Sequence, residues 1–422
     1  MWTYADRGFK ERILPIMAAS LLTREPVKLH NLARVADTEL MRDILRQLGV
    51  TVVATGPNAA VITATDVGHT VPDAMGRRMR ASIVLMGALI ARAGAARVPK
   101  PGGDQIGARR VEMHIRGLRA MGAEIAETGS EFIARAPHGL HGTRVVLDMP
   151  TVTGTENIVM AAVQASGRTE VYNAAREPHV QDLCRFLCSM GANIQGVGTD
   201  EIVVHGVGGL RGTEHHVVPD YLEAGTYAIA VAAAGGDVVL DAGTQQDLPS
   251  VLLKLQEAGA EVETSEGLIR VKRDLARPLR PVDLFTWAHP GFPTDLQPQY
   301  VALMTQADGP SIITEPIYEN RFQHVTELTR MGARITANGR DAFVRGPARL
   351  HGTDVSVPDI RSGAALVIAA LCARGTTEIS EAWHIERGYE DMPGKLRELG
   401  ARVELPPESE PLTNPALRAH SD

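Results

Sequence analysis

The chain has 422 residues, of which 44% are hydrophobic and 22% are charged, and its formal net charge at pH 7 is −7. This length suits two domains of ordinary size, and the hydrophobic share is enough for a buried core in each. The negative balance and an aromatic content of only 4% exclude a broad nucleic-acid-binding surface and a base-stacking platform, while leaving room for a local anion site in a cleft.

The N-terminal residues, the apolar segments and the cysteines together predict a cytoplasmic protein. The first residues show no basic segment followed by an apolar one, so a secretory signal is not predicted. The most apolar stretch, 81–91, is too short to cross a bilayer. Cys184, Cys188 and Cys372 lack the further Cys or His of a zinc pattern, so they are predicted to be core thiols in a reducing compartment. Residues 406–422 are rich in Pro, Glu and Ser and are predicted to be disordered.

A motif of Leu-x-x-hydrophobic-Gly ends six helix-like stretches, and Ala and a strand-like segment usually follow it. Successive glycines of the motif lie 68 to 73 residues apart, so a repeat of near 70 residues fills the chain. Each glycine is predicted to take the left-handed conformation that ends a helix. Hairpins are predicted at 123–134 in the second copy and at 260–271 in the fourth. The six glycines are Gly49, Gly122, Gly191, Gly259, Gly332 and Gly400.

Helices and strands alternate within each repeat. Helices are predicted at 81–91, 111–121, 156–163 and 364–371, and strands at 145–147 and 237–240. This alternation indicates a mixed α/β fold. Each repeat must bury its apolar helix face against its neighbours, which is compatible with an open solenoid and with a closed assembly of three units. The domain joint is predicted near 215–219.

A glycine-rich loop at 101–110 is the densest departure from ordinary composition. It contains three glycines in six residues, presents Asp104 at its tip and leads through Arg109 and Arg110 into a predicted helix. Glycines let the backbone approach a ligand closely, and arginines at a helix start suit an anion. A surface turn before a charged helix is the alternative interpretation.

Other charged residues stand in similar settings along both halves of the chain. Taken singly they fit solvated or salt-bridged surface positions, but together they fit a cage for a small polyanion. Asp295 lies in a Pro-flanked loop, where it either presents a carboxylate to a ligand or caps the helix that follows. The candidate cage residues are Lys10, Arg80, Arg321, Arg361 and Arg387.

Several motifs, in order, resemble the UDP-N-acetylglucosamine 1-carboxyvinyltransferases, a family of enolpyruvyl transferases. The resemblance runs from Lys10 to Val403, nearly the whole chain. The related family that acts on shikimate 3-phosphate is less similar in these segments. The motifs are Met79-Arg80-Ala81-Ser82, the 102–109 loop, Asn173-Ala174-Ala175-Arg176-Glu177-Pro178, Phe292-Pro293-Thr294-Asp295-Leu296-Gln297, Glu319-Asn320-Arg321-Phe322 and Arg387-Gly388-Tyr389-Glu390.

The resemblance implies two inside-out α/β barrels, each of three repeats, with the active site in the cleft between them. The barrels would span 10–217 and 218–405, with residues 1–9 as a candidate part of the second. The implied reaction transfers the enolpyruvyl group of phosphoenolpyruvate to the 3-hydroxyl of UDP-N-acetylglucosamine, an early step of peptidoglycan and cell-wall synthesis. The implied partners are these small molecules, with no nucleic acid or membrane, and no metal or organic cofactor is required.

The resemblance also implies roles for individual residues. Asp104 would protonate the methylene of phosphoenolpyruvate, and Asp295 would accept or orient the sugar hydroxyl proton. Lys10 and Arg387 complete the catalytic set, because phosphate and carboxylate need fixed cations. The implied substrate-binding residues are Lys10, Glu11, Arg80, Arg109, Arg110, Val111, Glu112, Met113, Thr151, Val152, Asp295, Ile317, Arg321, Asp359, Arg361 and Arg387.

Four positions depart from the family pattern. Asp104 replaces the usual Cys, so resistance to fosfomycin is predicted, and proton donation requires the Asp pKa to rise from about 3.9. Glu11 stands where the family has Asn, Ala36 where it has Lys, and Tyr221 where it has Arg. The alternatives to an active transferase are therefore an impaired or repurposed paralogue that binds the UDP-sugar, and a transferase with a changed acceptor.

Overall fold

The computed structural model describes residues 2–5, 10–241, 243 and 245–405. The tail predicted to be disordered, 406–422, lies outside the described residues, as does 6–9 of the segment before Lys10. Internal contacts divide the chain into two compact units. The N-terminal unit comprises Gly8–Asp104 and Arg109–Val218, and the C-terminal unit comprises Met1–Arg7, Gln105–Ala108 and Pro219–Asp422.

The described strands of the N-terminal unit form three sheets. The chain begins with β1 (Trp2–Ala5), which belongs to the C-terminal unit. The sheets that follow are ordered β12-β2-β4-β3, β5-β7-β6 and β10-β11-β9-β8. Parallel pairs join β12 to β2 and β8 to β9, and the remaining pairs are antiparallel. The strands are β2 (Val27–His30), β3 (Thr51–Gly56), β4 (Ala59–Thr63), β5 (Ala95–Pro99), β6 (Glu124–Glu127), β7 (Glu131–Arg135), β8 (Arg144–Val146), β9 (Arg168–Tyr172), β10 (Asn193–Gln195), β11 (Glu201–His205) and β12 (Glu214–His216).

Three helices of this unit, one from each repeat, are buried on nearly all sides. They are α1, α4 and α6, and α4 packs against both of the others. Because few of their residues meet water, apolar side chains occur on all sides of these helices. The helices thus fill the centre while each sheet exposes one face. The helices are α1 (Lys10–Ala19), α2 (Ala36–Gln47), α3 (Asp73–Gly76), α4 (Leu85–Ala93), α5 (Glu112–Ala120), α6 (Val152–Ala162) and α7 (Pro178–Ser189).

The C-terminal unit follows the same plan. Its buried central helices are α8, α10 and α12, which pack against one another. Its described sheets are ordered β1-β13-β15-β14, β16-β17-β19-β18 and β20-β21. The strands are β13 (Gly236–Asp241), β14 (Glu261–Ser265), β15 (Leu268–Arg273), β16 (Leu284–Phe285), β17 (Pro310–Thr314), β18 (Ile335–Asn338), β19 (Asp341–Arg345), β20 (Asp354–Ser356) and β21 (Glu378–Ser380). The helices are α8 (Tyr221–Ala234), α9 (Pro249–Ala258), α10 (Gln297–Met304), α11 (His324–Arg330), α12 (Ile360–Cys372), α13 (Trp383–Glu386) and α14 (Met392–Glu398).

The repeat glycines behave as the sequence predicts. All six have φ between +87° and +106°, the left-handed region that only glycine enters without strain. The hairpins predicted in the second and fourth copies are confirmed as β6 with β7 and β14 with β15. The sixth copy differs, because residues 401–405 form no strand.

The helix predicted at 81–91 is divided in two. A 3₁₀ segment, Arg80–Val84, precedes α4. The side-chain amide of Asn157 lies in this region: its Nδ2 donates to the carbonyl oxygen of Ile83, and its Oδ1 accepts from the backbone N–H of Gly87. These two backbone groups would bond each other in a continuous α-helix, so the inserted amide explains the interruption. A Cβ at Gly87 would lie only 2.2 Å from the Asn157 carbonyl oxygen, so this close approach requires glycine. Among the described residues, none of the helices has the length and apolarity to cross a membrane.

Candidate active site

The glycine-rich loop of the N-terminal unit lies against the segment that carries Arg80. A Cβ at Gly102 would lie 1.8 Å from the carbonyl oxygen of Arg77, and one at Gly103 would lie 3.1 Å from the Arg80 Cβ. The Gly103 φ is +100°, so both space and backbone conformation require glycine there. The same hypothetical Cβ is 3.6 Å from Nη1 of Arg109. Arg80 and Arg109 therefore flank the backbone immediately before Asp104.

Two arginines precede α5 rather than opening it. The helix begins at Glu112, one residue later than predicted, and Val111 takes the N-cap position. The guanidinium of Arg80 donates from Nη2 to the carbonyl oxygen of Arg110 at 3.3 Å. This bond joins the 3₁₀ segment to the end of the glycine-rich loop.

Lys10 is the first residue of α1 and is buried between carboxylates. Its Nζ donates to Oδ2 of Asp37 at 3.0 Å and lies 3.7 Å from Oε1 of Glu11. Asp37 follows Ala36, which begins α2 at the position where the resemblance predicts a lysine. The Glu11 side chain is 31% exposed, whereas that of Lys10 is 6% exposed. The charge of Lys10 is thus already shared with two carboxylates of its own unit.

A neutral histidine lies behind Arg80. Burial, followed by the charge of Arg80, lowers the pKa of His114 to about 3. The Asn157 amide nitrogen, 2.8 Å from His114 Nδ1, can only donate, so Nδ1 accepts. The proton is then on Nε2, which donates to Oγ1 of Thr153 at 3.2 Å. This chain of bonds fixes the start of α6, next to Thr151 and Val152 of the predicted nucleotide contacts.

Two fully buried histidines, His114 and His324, should make the free energy of unfolding depend on pH. The pKa of His324 is also lowered, to about 4, by burial and by Arg321, against the raising effect of Asp359. The unfolded chain binds these protons near pH 6.5, so the free energy of unfolding falls as pH drops from about 6.5 toward 4 and then 3. Each histidine contributes about 1.4 kcal/mol per pH unit within its window.

Replacing His114 by Gln is expected to flatten this dependence. The His114→Gln variant should lose less stability than the wild type between pH 7 and pH 5, measured by denaturant unfolding. The exposed His138, changed to Gln, is the matched control and should leave the slope unaltered. An equal slope in wild type and His114→Gln would contradict the assignment.

In the C-terminal unit, Asp295 lies between two buried arginines. Its Oδ1 accepts from Nη2 of Arg321 at 2.6 Å, and its Oδ2 accepts from Nη2 of Arg361 at 3.4 Å. The arginine side chains are 1% and 4% exposed, while Asp295 is 30% exposed. The interpretation of Asp295 as a helix cap is wrong, because neither the 3₁₀ turn Thr294–Leu296 nor α10 has a side-chain cap bond. An accessible carboxylate is held in place by two cations.

Arg321 remains charged although it is buried. Burial disfavours its charged form, but Asp295, Asp359 and Glu315 together outweigh that effect and raise the Arg321 pKa. Its Nε and Nη2 also donate to the carbonyl oxygen of Thr294 at 3.3 and 3.2 Å. The guanidinium therefore binds both the side chain of Asp295 and the backbone beside it.

Asp359 and Tyr389 position Arg361 from two sides. The Asp359 carboxylate caps α12, accepting from the backbone N–H of Arg361 at 2.9 Å and from Ser362. The Arg361 guanidinium carbon lies 5.4 Å from the centre of the Tyr389 ring. Tyr389 is fully buried, and its hydroxyl bonds Oγ1 of Thr226 at 3.0 Å. Asp359, predicted to contact substrate, thus uses its carboxylate to hold the helix start that carries Arg361.

Three further predicted positions also lie in the C-terminal unit. Arg387 follows α13 and is 9% exposed. Ile317 lies in the loop after β17, where its backbone N–H donates to Glu315 at 2.9 Å. Tyr221, which stands where the resemblance predicts Arg, is the first residue of α8 and is buried.

The four residues after Asp104, Gln105–Ala108, group with the C-terminal unit. The carbonyl oxygen of Gln105 accepts from Asn320 Nδ2 at 2.8 Å and from Gln323 Nε2 at 2.6 Å. The backbone N–H of Ala108 donates to Glu319 at 3.3 Å. These bonds hold residues 105–108 against the segment on both sides of Arg321, within the C-terminal unit.

Comparison with known proteins decides the family. The family model of EPSP synthase (3-phosphoshikimate 1-carboxyvinyltransferase) matches residues 10–396. The UDP-N-acetylglucosamine 1-carboxyvinyltransferase of Gluconacetobacter diazotrophicus is 46% identical over 403 residues, 94% of each chain. UDP-N-acetylglucosamine 1-carboxyvinyltransferase 1 of Staphylococcus aureus is 44% identical over 400 residues, again 94% of each. The chain belongs to the UDP-N-acetylglucosamine 1-carboxyvinyltransferase family.

Solved structures confirm the fold of this carboxyvinyltransferase family member. The enolpyruvyl transferase NikO from Streptomyces tendae superposes with a TM-score of 0.86 at 24% identity, covering 96% of each chain. EPSP synthase from Acinetobacter baumannii gives a TM-score of 0.70 at 20% identity over 94% of each. At these identities the likeness concerns the fold, and it confirms the predicted fold class of inside-out α/β barrels.

Several residues that bond within the Asp295 cluster or near Arg80 in this carboxyvinyltransferase family member are absent from the sequence predictions. Glu315, Gln299 and Thr226 lie behind the Asp295 cluster, and Asn157 and His114 lie behind Arg80. Gln299 Nε2 donates to the Asp295 carbonyl oxygen at 3.0 Å and to the Tyr389 hydroxyl at 3.2 Å. The sequence feature that could have indicated these residues is a polar residue next to a buried apolar segment. Glu315, directly after β17, is an example.

Proposed function

We propose that the chain transfers the enolpyruvyl group of phosphoenolpyruvate to the 3-hydroxyl of UDP-N-acetylglucosamine, releasing phosphate. The observation that carries the proposal is the partly exposed carboxylate of Asp295 held between two buried arginines. The names of the relatives supply the acceptor, since both are UDP-N-acetylglucosamine 1-carboxyvinyltransferases. This reaction belongs to peptidoglycan and cell-wall synthesis. We also propose a cytoplasmic location, because the three cysteines are free thiols.

The proposed reaction proceeds through addition and elimination. The sugar hydroxyl oxygen forms a bond to C2 of phosphoenolpyruvate while C3 receives a proton, which gives a tetrahedral ketal. The ketal then loses a proton from the new methyl group, and the bond between C2 and the phosphate oxygen breaks. The products are the enolpyruvyl ether and inorganic phosphate, so atoms and protons balance without an added cofactor.

Asp295 is proposed to accept the hydroxyl proton. Its contacts with Arg321 and Arg361 favour the ionised carboxylate and orient it, while its exposed fraction lets a hydroxyl reach it. Asp104 is proposed to protonate C3, for which its pKa must rise when substrate is bound. The glycines before it place the backbone close to Arg80 and Arg109.

The remaining charges are proposed to bind the anionic groups. Lys10, Arg387 and Arg109 would hold the phosphate and carboxylate of phosphoenolpyruvate, because fixed cations stabilise charge that grows during transfer. Helix starts and arginines suit the diphosphate of the nucleotide. The residues proposed to contact the UDP-sugar are Arg80, Arg109, Arg110, Val111, Glu112, Met113, Thr151, Val152 and Ile317.

Phosphate release from phosphoenolpyruvate and UDP-N-acetylglucosamine tests the proposal directly. Release that requires the UDP-sugar supports it. Binding of the UDP-sugar without turnover supports the impaired or repurposed paralogue instead. Turnover only with another hydroxyl-bearing acceptor supports a changed specificity.

Replacing Glu11 by Asn is expected to lower KM for phosphoenolpyruvate. The Glu11 carboxylate lies 3.7 Å from the Lys10 ammonium and competes for it with an incoming phosphate. Removing one such charge should lower KM for phosphoenolpyruvate about tenfold, measured by steady-state phosphate release. Glu39→Gln, on the exposed side of α2, is the control. An unchanged KM would contradict the expectation that the Glu11 carboxylate weakens phosphoenolpyruvate binding.

A further inference from the structure

One fully buried carboxylate, that of Glu315, joins the two segments that meet at the Asp295–Arg321 pair. Its Oε2 accepts from Oγ1 of Thr294 at 2.8 Å. Its Oε1 accepts from the backbone N–H groups of Ile317 at 2.9 Å and Tyr318 at 3.2 Å. Glu315 itself follows β17 and is 0% exposed.

Each segment carries one partner of the pair. Thr294 immediately precedes Asp295, and the loop that begins at Ile317 leads to Arg321. Arg321 in turn donates to the carbonyl oxygen of Thr294, which closes a ring of bonds through Glu315. A displacement of either segment would therefore move the carboxylate of Asp295 relative to its arginine.

The burial of Glu315 is costly unless its donors are present. An ionised carboxylate without water needs several hydrogen bonds or a nearby cation, and here three donors and the charge of Arg321 fill that need. Buried ionic groups add little net stability compared with apolar residues of similar size. The arrangement is better explained by the geometry that it imposes.

We propose that Glu315 is a positioning residue for the transfer reaction. Through Thr294 it sets the orientation of Asp295 toward the acceptor hydroxyl, and through the Ile317 and Tyr318 amides it sets the loop assigned to the nucleotide. This inference rests on the proposed function. It predicts that the two sets of bonds have separable effects. Loss of the Thr294 bond should lower kcat alone, whereas loss of the bonds to the Ile317 and Tyr318 amides should also weaken UDP-sugar binding.

The experiment compares Thr294→Val, Thr294→Ser, Glu315→Gln and the double variant Thr294→Val/Glu315→Gln. Thr294→Val removes only the hydroxyl, and it should lower kcat about tenfold with UDP-sugar affinity within about twofold of wild type. Thr294→Ser keeps the hydroxyl and should recover most of that loss. Glu315→Gln leaves one neutral acceptor oxygen and replaces the other oxygen by an amide nitrogen, which only donates, and it should lower kcat similarly while weakening UDP-N-acetylglucosamine binding about fivefold by calorimetry.

The double variant tests whether the two residues act through one another. Its kcat should be within about threefold of that of Glu315→Gln, not the product of the two separate losses, because both changes act on the same Thr294–Glu315 link. Thr329→Val is the control, since the exposed Thr329 hydroxyl bonds within α11, at the Val325 carbonyl oxygen. Thermal unfolding of every variant checks that the folded fraction is unchanged.

Three results would overturn the proposal: independent losses in the double variant, unchanged UDP-sugar affinity in Glu315→Gln, or Thr294→Val behaving like Thr329→Val. Failure of the proposed function gives a different pattern. A wild-type chain that binds the UDP-sugar without releasing phosphate rejects the transfer reaction, while calorimetry still decides whether Glu315 positions the loop. A wild-type chain that does neither rejects both.

Discussion

Replacing Asp295 by Asn is expected to lower kcat about a thousandfold. The substitution keeps the size of the side chain and an oxygen that can accept from Arg321 at the 2.6 Å contact, but it removes the base. General-base catalysis typically contributes 10²–10⁴-fold, so a loss of roughly the middle of that range follows if Asp295 accepts the hydroxyl proton. UDP-sugar affinity should remain within a few-fold of wild type, because Asp295 is not among the residues proposed to contact the UDP-sugar. Steady-state phosphate release and calorimetry measure the two quantities.

The same substitution leaves Arg321 and Arg361 with less compensating charge, so a stability control is needed. Breaking a buried ion pair costs about 3–5 kcal/mol, but Asp295 is 30% exposed and the loss should be well below that. Denaturant unfolding will show whether the variant is folded under assay conditions. Asp354→Asn, at an exposed position of β20, is the matched control. Substantial turnover by folded Asp295→Asn would eliminate Asp295 as the base.

Changing Asp104 is expected to have the second large effect. Asp104→Asn removes the proposed proton donor and should lower kcat between about 10²-fold and 10⁴-fold. Asp104→Cys should retain turnover, because a thiol at this loop position is the usual donor in the family that the sequence resembles. The Cys variant should also become sensitive to fosfomycin, whose epoxide alkylates that thiol, whereas the wild type should be resistant.

Intact-protein mass spectrometry separates these expectations. After incubation with fosfomycin and UDP-N-acetylglucosamine, a covalent adduct should be found on Asp104→Cys and not on the wild type. Cys184, Cys188 and Cys372 are present in both proteins, so any adduct on them is common to the two samples. Time-dependent inactivation of the wild type with an adduct at Asp104 would refute the resistance prediction.

The repeat architecture could be predicted from the sequence because its signals are local. A glycine at the end of each helix reports its own backbone conformation, and all six repeat glycines are left-handed. The hairpin pattern after Gly122 and Gly259 likewise involves residues that are neighbours along the chain. The same patterns did not distinguish an open solenoid from closed barrels, since that choice depends on how distant helices pack. The family resemblance supplied it, and the structural comparisons confirm it.

The candidate site was only partly predictable. Asp295, Arg321 and Arg361 could be named from motifs, but their convergence joins residues 26 and 66 positions apart. The interruption of the helix at Ile83 also depends on a remote side chain, that of Asn157, 74 positions along the chain. Local periodicity contains no information about such partners.

The sequence by itself determined the family, the α/β class, the glycine-ended repeats and the types of side chain available for anion binding and proton transfer. Only the tertiary structure decided which carboxylate meets which cation. It places Asp295 between buried arginines, Lys10 beside Asp37 and Glu11, and Glu315 beneath the Asp295 turn. The reason is physical. The sequence shows that a residue is acidic but not whether its carboxylate is solvated or buried, and the role of that carboxylate depends on the hydrogen-bond donors and cations that folding brings to it.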